Sequence, residues 1–198
     1  MNAAKIQKVE KIQKVEKVEK RKIFWNGTAK MDPTEKYRYK LERVFICPDC
    51  NDQRTFWKCG LCSKWKDKVV FIMLNPSTAT AEVSDPTVKR CEGFANEWGF
   101  RRLVVLNIFA LRSTDPRKLY EEKSPIGPQN NRYIQNCTKD ADLIICAWGQ
   151  HADFLERGKA VLQMLRHKRL HYLKLAKDGT PQHPLYLNGS LKPKLLEN

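Results

Sequence analysis

Val69-Val70-Phe71-Ile72-Met73-Leu74-Asn75-Pro76 is a short, continuous apolar run that stops at an Asn-Pro turn. An alternating strand would show one polar face; this run shows none, so it reads as a strand covered on both faces. Working outward, Asp85-Pro86 opens a helix, with the aspartate as N-cap and the proline in the first turn, and Gly99 closes it after Trp98. Val88, Cys91, Phe94, Ala95 and Trp98 share one face of that helix. Leu103 to Phe109 is a second buried strand, Gln129 to Lys139 a helix, Asp142 to Trp148 a third strand, Ala152 to His167 an amphipathic helix and Leu170 to Leu175 a fourth strand. Upstream, Tyr37 to Ile46 alternates aromatic or aliphatic residues with charged ones, the pattern of a half-buried strand. Strands alternating with helices predict an α/β three-layer sandwich around a mainly parallel central sheet.

Between the Tyr37–Ile46 strand and the run that starts at Val69 lie Cys47, Cys50, Cys59 and Cys62, two Cys-x2-Cys pairs separated by eight residues. Each pair holds turn-forming residues, and the spacing lets both present thiolates to one tetrahedral ion, which predicts a structural Zn2+ in an inserted hairpin over residues 46–66. Four thiolates fill the coordination shell, so such a zinc holds a fold and does no chemistry. Cys91, Cys137 and Cys146 bring the total to seven, an odd number. With no stretch resembling a secretory signal, the expected compartment is the reducing cytoplasm. No apolar run approaches the length of a membrane span, so no membrane partner is expected.

The chain carries a formal charge of +15 over its 198 residues. Residues 1–22 hold eight Lys or Arg against three Glu, a net of +5, and repeat Lys-Ile-Gln-Lys-Val-Glu with Ile6, Val9, Ile12, Val15 and Val18 at every third position. A period of three spirals around a helix and builds no stripe to bury, so these residues read as a mobile basic arm on a single α/β domain over 23–198. A basic body with a basic arm favours nucleic acid, DNA first, as the partner.

In open α/β sheets, ligands bind beyond the carboxyl ends of the strands. That rule selects Met73-Leu74-Asn75-Pro76-Ser77, Leu106-Asn107-Ile108-Phe109, Ala147-Trp148-Gly149 and Gln182-His183-Pro184-Leu185, and predicts one crevice collecting Asn75, Asn107, Trp148 and His183. Asn107 is the most pointed of these, since an amide inside an apolar strand needs partners that a ligand edge supplies.

Taken in order, the four segments resemble the uracil-DNA glycosylase superfamily, whose members carry a strand ending in Gly-x-Asp/Asn-Pro, a strand ending in a base-reading Asn, a Trp-Gly and a His-Pro loop. Residues 73 to 76 match the first motif with Met73 in place of its glycine, and Leu185 replaces the serine that follows His-Pro. A closer resemblance is to an uncharacterised family of bacterial and phage proteins known only by a domain-of-unknown-function label. It rests on Met73-Leu74-Asn75-Pro76-Ser77-Thr78-Ala79, Asp85-Pro86-Thr87, Asn107-Ile108-Phe109-Ala110-Leu111-Arg112, Trp148-Gly149, Lys177-Asp178-Gly179 and His183-Pro184-Leu185-Tyr186. Relative to that family the cysteine hairpin looks like an insertion.

The superfamily resemblance implies an enzyme that hydrolyses the N-glycosidic bond of an extruded or modified base. Asn107 would read the base edge, His183 would stabilise the leaving base oxygen and Asn75 would position water. Glu82 is the nearest carboxylate expected to be free as a general base, because Asp85 is a helix cap. Phe109, two after Asn107 on the same strand face, or Trp148 would stack on the base, and Leu187, four after the histidine, would intercalate. The alternatives are a non-catalytic zinc-containing module that binds nucleic acid or a modified nucleotide, and a phage-like protein-interaction factor.

Overall fold

The computed structural model describes residues 24–46 and 62–197. The arm over 1–22 and the ligand candidates Cys47, Cys50 and Cys59 lie outside the described residues, and Cys62 enters only as the first residue of a 3-10 turn, Cys62–Lys64. Among the described residues seven strands form one sheet: β1 (Phe24–Met31), β2 (Arg38–Ile46), β3 (Lys66–Met73), β4 (Phe100–Asn107), β5 (Leu143–Cys146), β6 (Leu170–Tyr172) and β7 (Lys194–Leu195), in the order β1-β2-β4-β3-β5-β6-β7. Among the described residues four helices accompany them: α1 (Pro86–Glu97), α2 (Lys118–Glu121), α3 (Asn130–Thr138) and α4 (Arg157–Met164).

The sheet is mixed. β4, β3, β5 and β6 are parallel, whereas β1-β2, β2-β4 and β6-β7 pair antiparallel. The apolar runs occupy the parallel centre because both of its faces are covered. Val69, Phe71, Leu103, Val105 and Ile145 face α1 through Val88, Cys91, Phe94 and Ala95. Val70, Ile72, Val104, Leu106 and Ile144 face α3 and α4 through Ile134, Val161 and Leu165. Phe71, Ile72, Leu103 and Leu106 are fully buried, each stabilising the fold by roughly 1.5–3 kcal/mol relative to exposure. From β3 the chain crosses over α1 to β4 on one side, then returns past β3 to β5 on the other. The strand order therefore reverses at β3, and the reversal opens a crevice at its carboxyl end.

α1 starts as the sequence dictates, with Asp85 Oδ1 accepting from the Val88 amide at 2.8 Å and Pro86 in the first turn. The expected helix over 152–167 is broken. A 3-10 turn (Phe154–Glu156) precedes α4, and Leu155 and Glu156 adopt left-handed backbone at φ 54° and 49°. The break lets Gly158 close on the Ala152 carbonyl at 2.8 Å. The fourth parallel strand ends at Tyr172 instead of Leu175, because beyond it Leu175 bridges back to Pro181 in a local turn.

β2 contains an irregularity next to its start. Lys40 pairs with Lys30 but Arg38 pairs with Met31, so Tyr39 is an extra residue on the β2 side. Simple alternation would put Arg38 and Arg43 on opposite faces; the bulge puts both on the α1 face. Arg38 Nη1 donates to Ala79 O at 2.5 Å and Arg43 Nη2 donates to Thr80 O at 2.7 Å. Two buried arginines thus hold the loop that leads to the α1 cap.

Among the described residues, no helix is long and apolar enough to cross a membrane.

Candidate active site

A cleft of about 760 Å³ opens where the strand order reverses. Its walls come from residues 73–77 after β3, 113–116 in the loop after β4, 148–151 after β5 and 174–187 after β6, with Arg38 and the start of α1 completing it. A more open groove of about 710 Å³ between α3 and α4 collects none of the residues that the sequence singles out. The first cleft is therefore the candidate site.

Asn75, Trp148, His183 and Leu187 all line it. Asn75 is fixed by its own amide, whose Nδ2 donates to Ser113 O at 2.8 Å and Pro76 O at 3.2 Å. With Nδ2 committed, Oδ1 is the atom left to accept from a ligand or water. His183 sits at the start of the 3-10 turn Pro184–Tyr186 and makes no side-chain hydrogen bond with a described residue. Burial lowers its pKa, opposed by the nearby Asp85 carboxylate, so the imidazole is neutral at pH 7 and offers one N–H donor and one acceptor. Gly149 makes this placement possible. It has φ 71°, donates its amide to Pro181 O at 2.8 Å, and a Cβ there would stand 3.2 Å from His183 Cβ.

Other expectations need correction. Asn107 is 1% exposed and does not line the cleft. It pairs in register with Met73, one strand away from the opening, and its Oδ1 is buried without a partner. Phe109 does not share a face with Asn107. Ile108 and Phe109 both donate their amides toward the end of β3, to Met73 O and to Leu74 O just past it, so alternation breaks and Phe109 turns into the α3/α4 core against Phe154. Trp148 borders the cleft but is 3% exposed and packs in that same core, which leaves no free face for stacking. Glu82 lies outside the cleft on an exposed turn, accepting from Thr80 Oγ1 at 3.1 Å. Asp85, read from sequence only as a cap, is the single carboxylate among the described residues of the wall.

Leu187 is 7% exposed and packs under α1, whereas Tyr186 is 93% exposed on the rim. The turn explains the exchange. A 3-10 helix repeats every three residues, so Pro184 and Leu187 face inward together and Tyr186 faces out. A rim aromatic was therefore missed although His-Pro-Leu-Tyr carried the signal.

Arg38 was missed for a different reason: its side of the sheet depends on the bulge. The residue lines the cleft although it is 2% exposed, and burial lowers its pKa to about 10, leaving it charged at pH 7. With Arg38 and Lys174 against Asp85, the wall is net positive.

Among the described residues no cluster of three or more His, Cys, Asp or Glu is placed to hold a metal, and the cysteine pairs lie outside that set. No curated protein and no solved structure matches the chain. Over residues 54–185 it matches the family described as "Protein of unknown function (DUF1643)", and the chain belongs to that family.

Proposed function

We propose that the chain is a nucleic-acid-directed enzyme that takes an extruded or modified base into this cleft and hydrolyses its N-glycosidic bond. The observation that carries the reading is His183: a neutral imidazole, without a partner among the described residues, in a positively charged cleft that Asn75 also lines. Cleavage adds water to the sugar carbon and releases the base, which leaves with developing negative charge and is then protonated. A neutral imidazole N–H aimed at the departing base stabilises that charge without first having to lose a proton. Asn75 Oδ1 orients the attacking water but cannot take its proton, so Asp85 replaces Glu82 as the carboxylate nearest the reaction. Tyr186 takes the rim position that the sequence assigned to Leu187, where an exposed ring stacks on a base. Zn2+ on the four cysteines remains part of this proposal as a structural ion, with DNA as the favoured partner.

The second reading is a non-catalytic module that binds nucleic acid or a modified nucleotide. It draws on one observation: Asp85, the only wall carboxylate among the described residues, already spends Oδ1 on capping α1.

Base release from single- and double-stranded oligonucleotides carrying uracil, mismatched thymine or phage-type modified bases, read as alkali-labile abasic sites, tests the first reading. The expected result is release by the wild-type chain, reduced about 10²- to 10⁴-fold in His183→Ala with binding little changed. Binding of the same oligonucleotides without release from any of them would overturn the enzyme and leave the module.

A further inference from the structure

The guanidinium of Arg38 is unusual for a group so deeply buried. Nη1 is committed to Ala79 O, but Nε is buried without a partner and Nη2 donates to no described residue. No carboxylate lies within ion-pair distance among the described residues, and Asp85, the carboxylate whose charge acts on it, does so only through space. Nε–H and Nη2–H form the edge of the fork that takes an oxyanion with two parallel hydrogen bonds. A buried cation left in this state destabilises the fold unless something neutralises it. The bulge at Tyr39 carries that cost further, because it turns Arg38 toward the cleft at the expense of regular pairing. Ser77, Thr87 and Thr114 also line the cleft with hydroxyls that bond no described residue, and Lys174 adds a second cation. Hydroxyls and cations around a guanidinium fork are the groups that contact phosphate oxygens.

We propose that Arg38 is the centre of a phosphate subsite in the cleft, holding a phosphate of the nucleotide whose base meets His183 and Asn75. The residue lies upstream of the stretch shared with the family, on β2. The proposal deepens the nucleic-acid reading and rests on it for the identity of the base, but not for the phosphate. The phosphate comes either from a strand's terminal monoester or from an internal diester, and both present the same oxyanion to the fork.

Three probes test it: inorganic phosphate, the five 2′-deoxynucleoside 5′-monophosphates with their matching nucleosides, and a short oligonucleotide with or without a 5′-phosphate. In the wild-type chain, phosphate should raise the Tm and shift the Arg38 Nε–H resonance, and the nucleotides should bind about tenfold more tightly than the nucleosides. Arg38→Gln should abolish that tenfold difference, and Lys174→Gln, at an exposed position that cannot unsettle the core, should narrow it. A 5′-phosphate that tightens oligonucleotide binding only when Arg38 is present identifies the monoester; equal weakening of both oligonucleotides by Arg38→Gln identifies the diester. Phosphate binding that responds to Arg38 but ignores the base would keep the subsite and defeat the base reading. Nucleosides binding as well as nucleotides in the wild-type chain, or an Arg38 Nε–H resonance unmoved by phosphate, would overturn the proposal. The resonance and Lys174→Gln decide the matter even where Arg38→Gln fails to fold.

Discussion

Gly27→Ala is the most exacting perturbation of the framework that positions the cleft. Gly27 lies inside β1, where a glycine ordinarily costs about 0.5–1 kcal/mol relative to alanine, so local reasoning predicts that the substitution stabilises. The packing predicts the reverse. A Cβ on Gly27 would stand 1.8 Å from the Ala81 carbonyl oxygen and 2.3 Å from Arg43 Nη1. Restoring ordinary contact requires the loop to retreat by about 1.7 Å, since carbon packs against neighbouring heavy atoms at roughly 3.5 Å. That loop is tied down at neighbouring positions, by Arg43 Nη2 on Thr80 O at 2.7 Å and by Arg43 Nε on Ser84 Oγ and Glu92 Oε1, both at 3.2 Å. Losing two such bonds to a charged, buried group costs about 1.5–3 kcal/mol each, so after the local gain the net destabilisation is about 2–5.5 kcal/mol. Urea unfolding measures it directly, and the corresponding fall in Tm is about 10 °C for a domain of this size. A loss below about 1 kcal/mol, or any gain, would show that the loop yields freely and that the arginines do not fix it.

Asp85→Asn separates capping from charge. Asparagine caps as well as aspartate, so stability should change by less than about 0.5 kcal/mol, while His183, deprived of the carboxylate that raises its pKa, should titrate at still lower pH by NMR; an unchanged His183 titration would refute the electrostatic link. Stability should hold above the ordinary histidine value of 6.5 and fall as the pH drops below it, because burial lowers the folded-state pKa of both His183 and His171 and the unfolded chain then binds the extra protons. His183→Gln should flatten that slope in denaturation curves taken from pH 7 to 4, and an unaltered slope would remove His183 from the account. Metal analysis should find one zinc per chain, lost together with order around Phe45 and Trp65 in Cys59→Ser while the parallel core survives; a metal-free wild-type chain would end the zinc reading. Deleting residues 2–22 should weaken nucleic-acid binding and flatten its salt dependence, because a +5 segment is removed; an unchanged slope would assign the arm another role.

The parallel centre was legible because burial on both faces writes itself as unbroken apolar runs, and α1 was legible because Asp85-Pro86 states its own boundary. Asn75, His183 and the crevice followed from strand order alone. The residues that escaped do so where a single irregular peptide decides which way a side chain faces. Consecutive amide bonds after Asn107 turn Phe109 inward, three-fold turn geometry exchanges Leu187 for Tyr186, and one extra residue at Tyr39 delivers Arg38. None of these departures changes the hydropathy pattern, so periodicity could not report them. β1 escaped because Asn26 and Gly27 are residues that strands disfavour; an edge position and the need to clear Ala81 explain that choice.

The register of β1, β2 and β3 has a consequence for how a long partner would meet the protein. Phe24 pairs with Ile46, and Lys66 begins β3 opposite Phe100, so the described neighbours of the arm and both described neighbours of the cysteine segment gather at one pole of the sheet, closed there by the stacking of Phe45 on Trp65 at 4.4 Å. The cleft occupies the other pole, a strand length of about 25 Å away. An oligonucleotide a few residues long can occupy the cleft without reaching that far end. Truncating the arm should therefore lower the affinity for long strands while leaving that for a mononucleotide untouched, and the length at which the two affinities part becomes a ruler for the path a strand takes across the molecule.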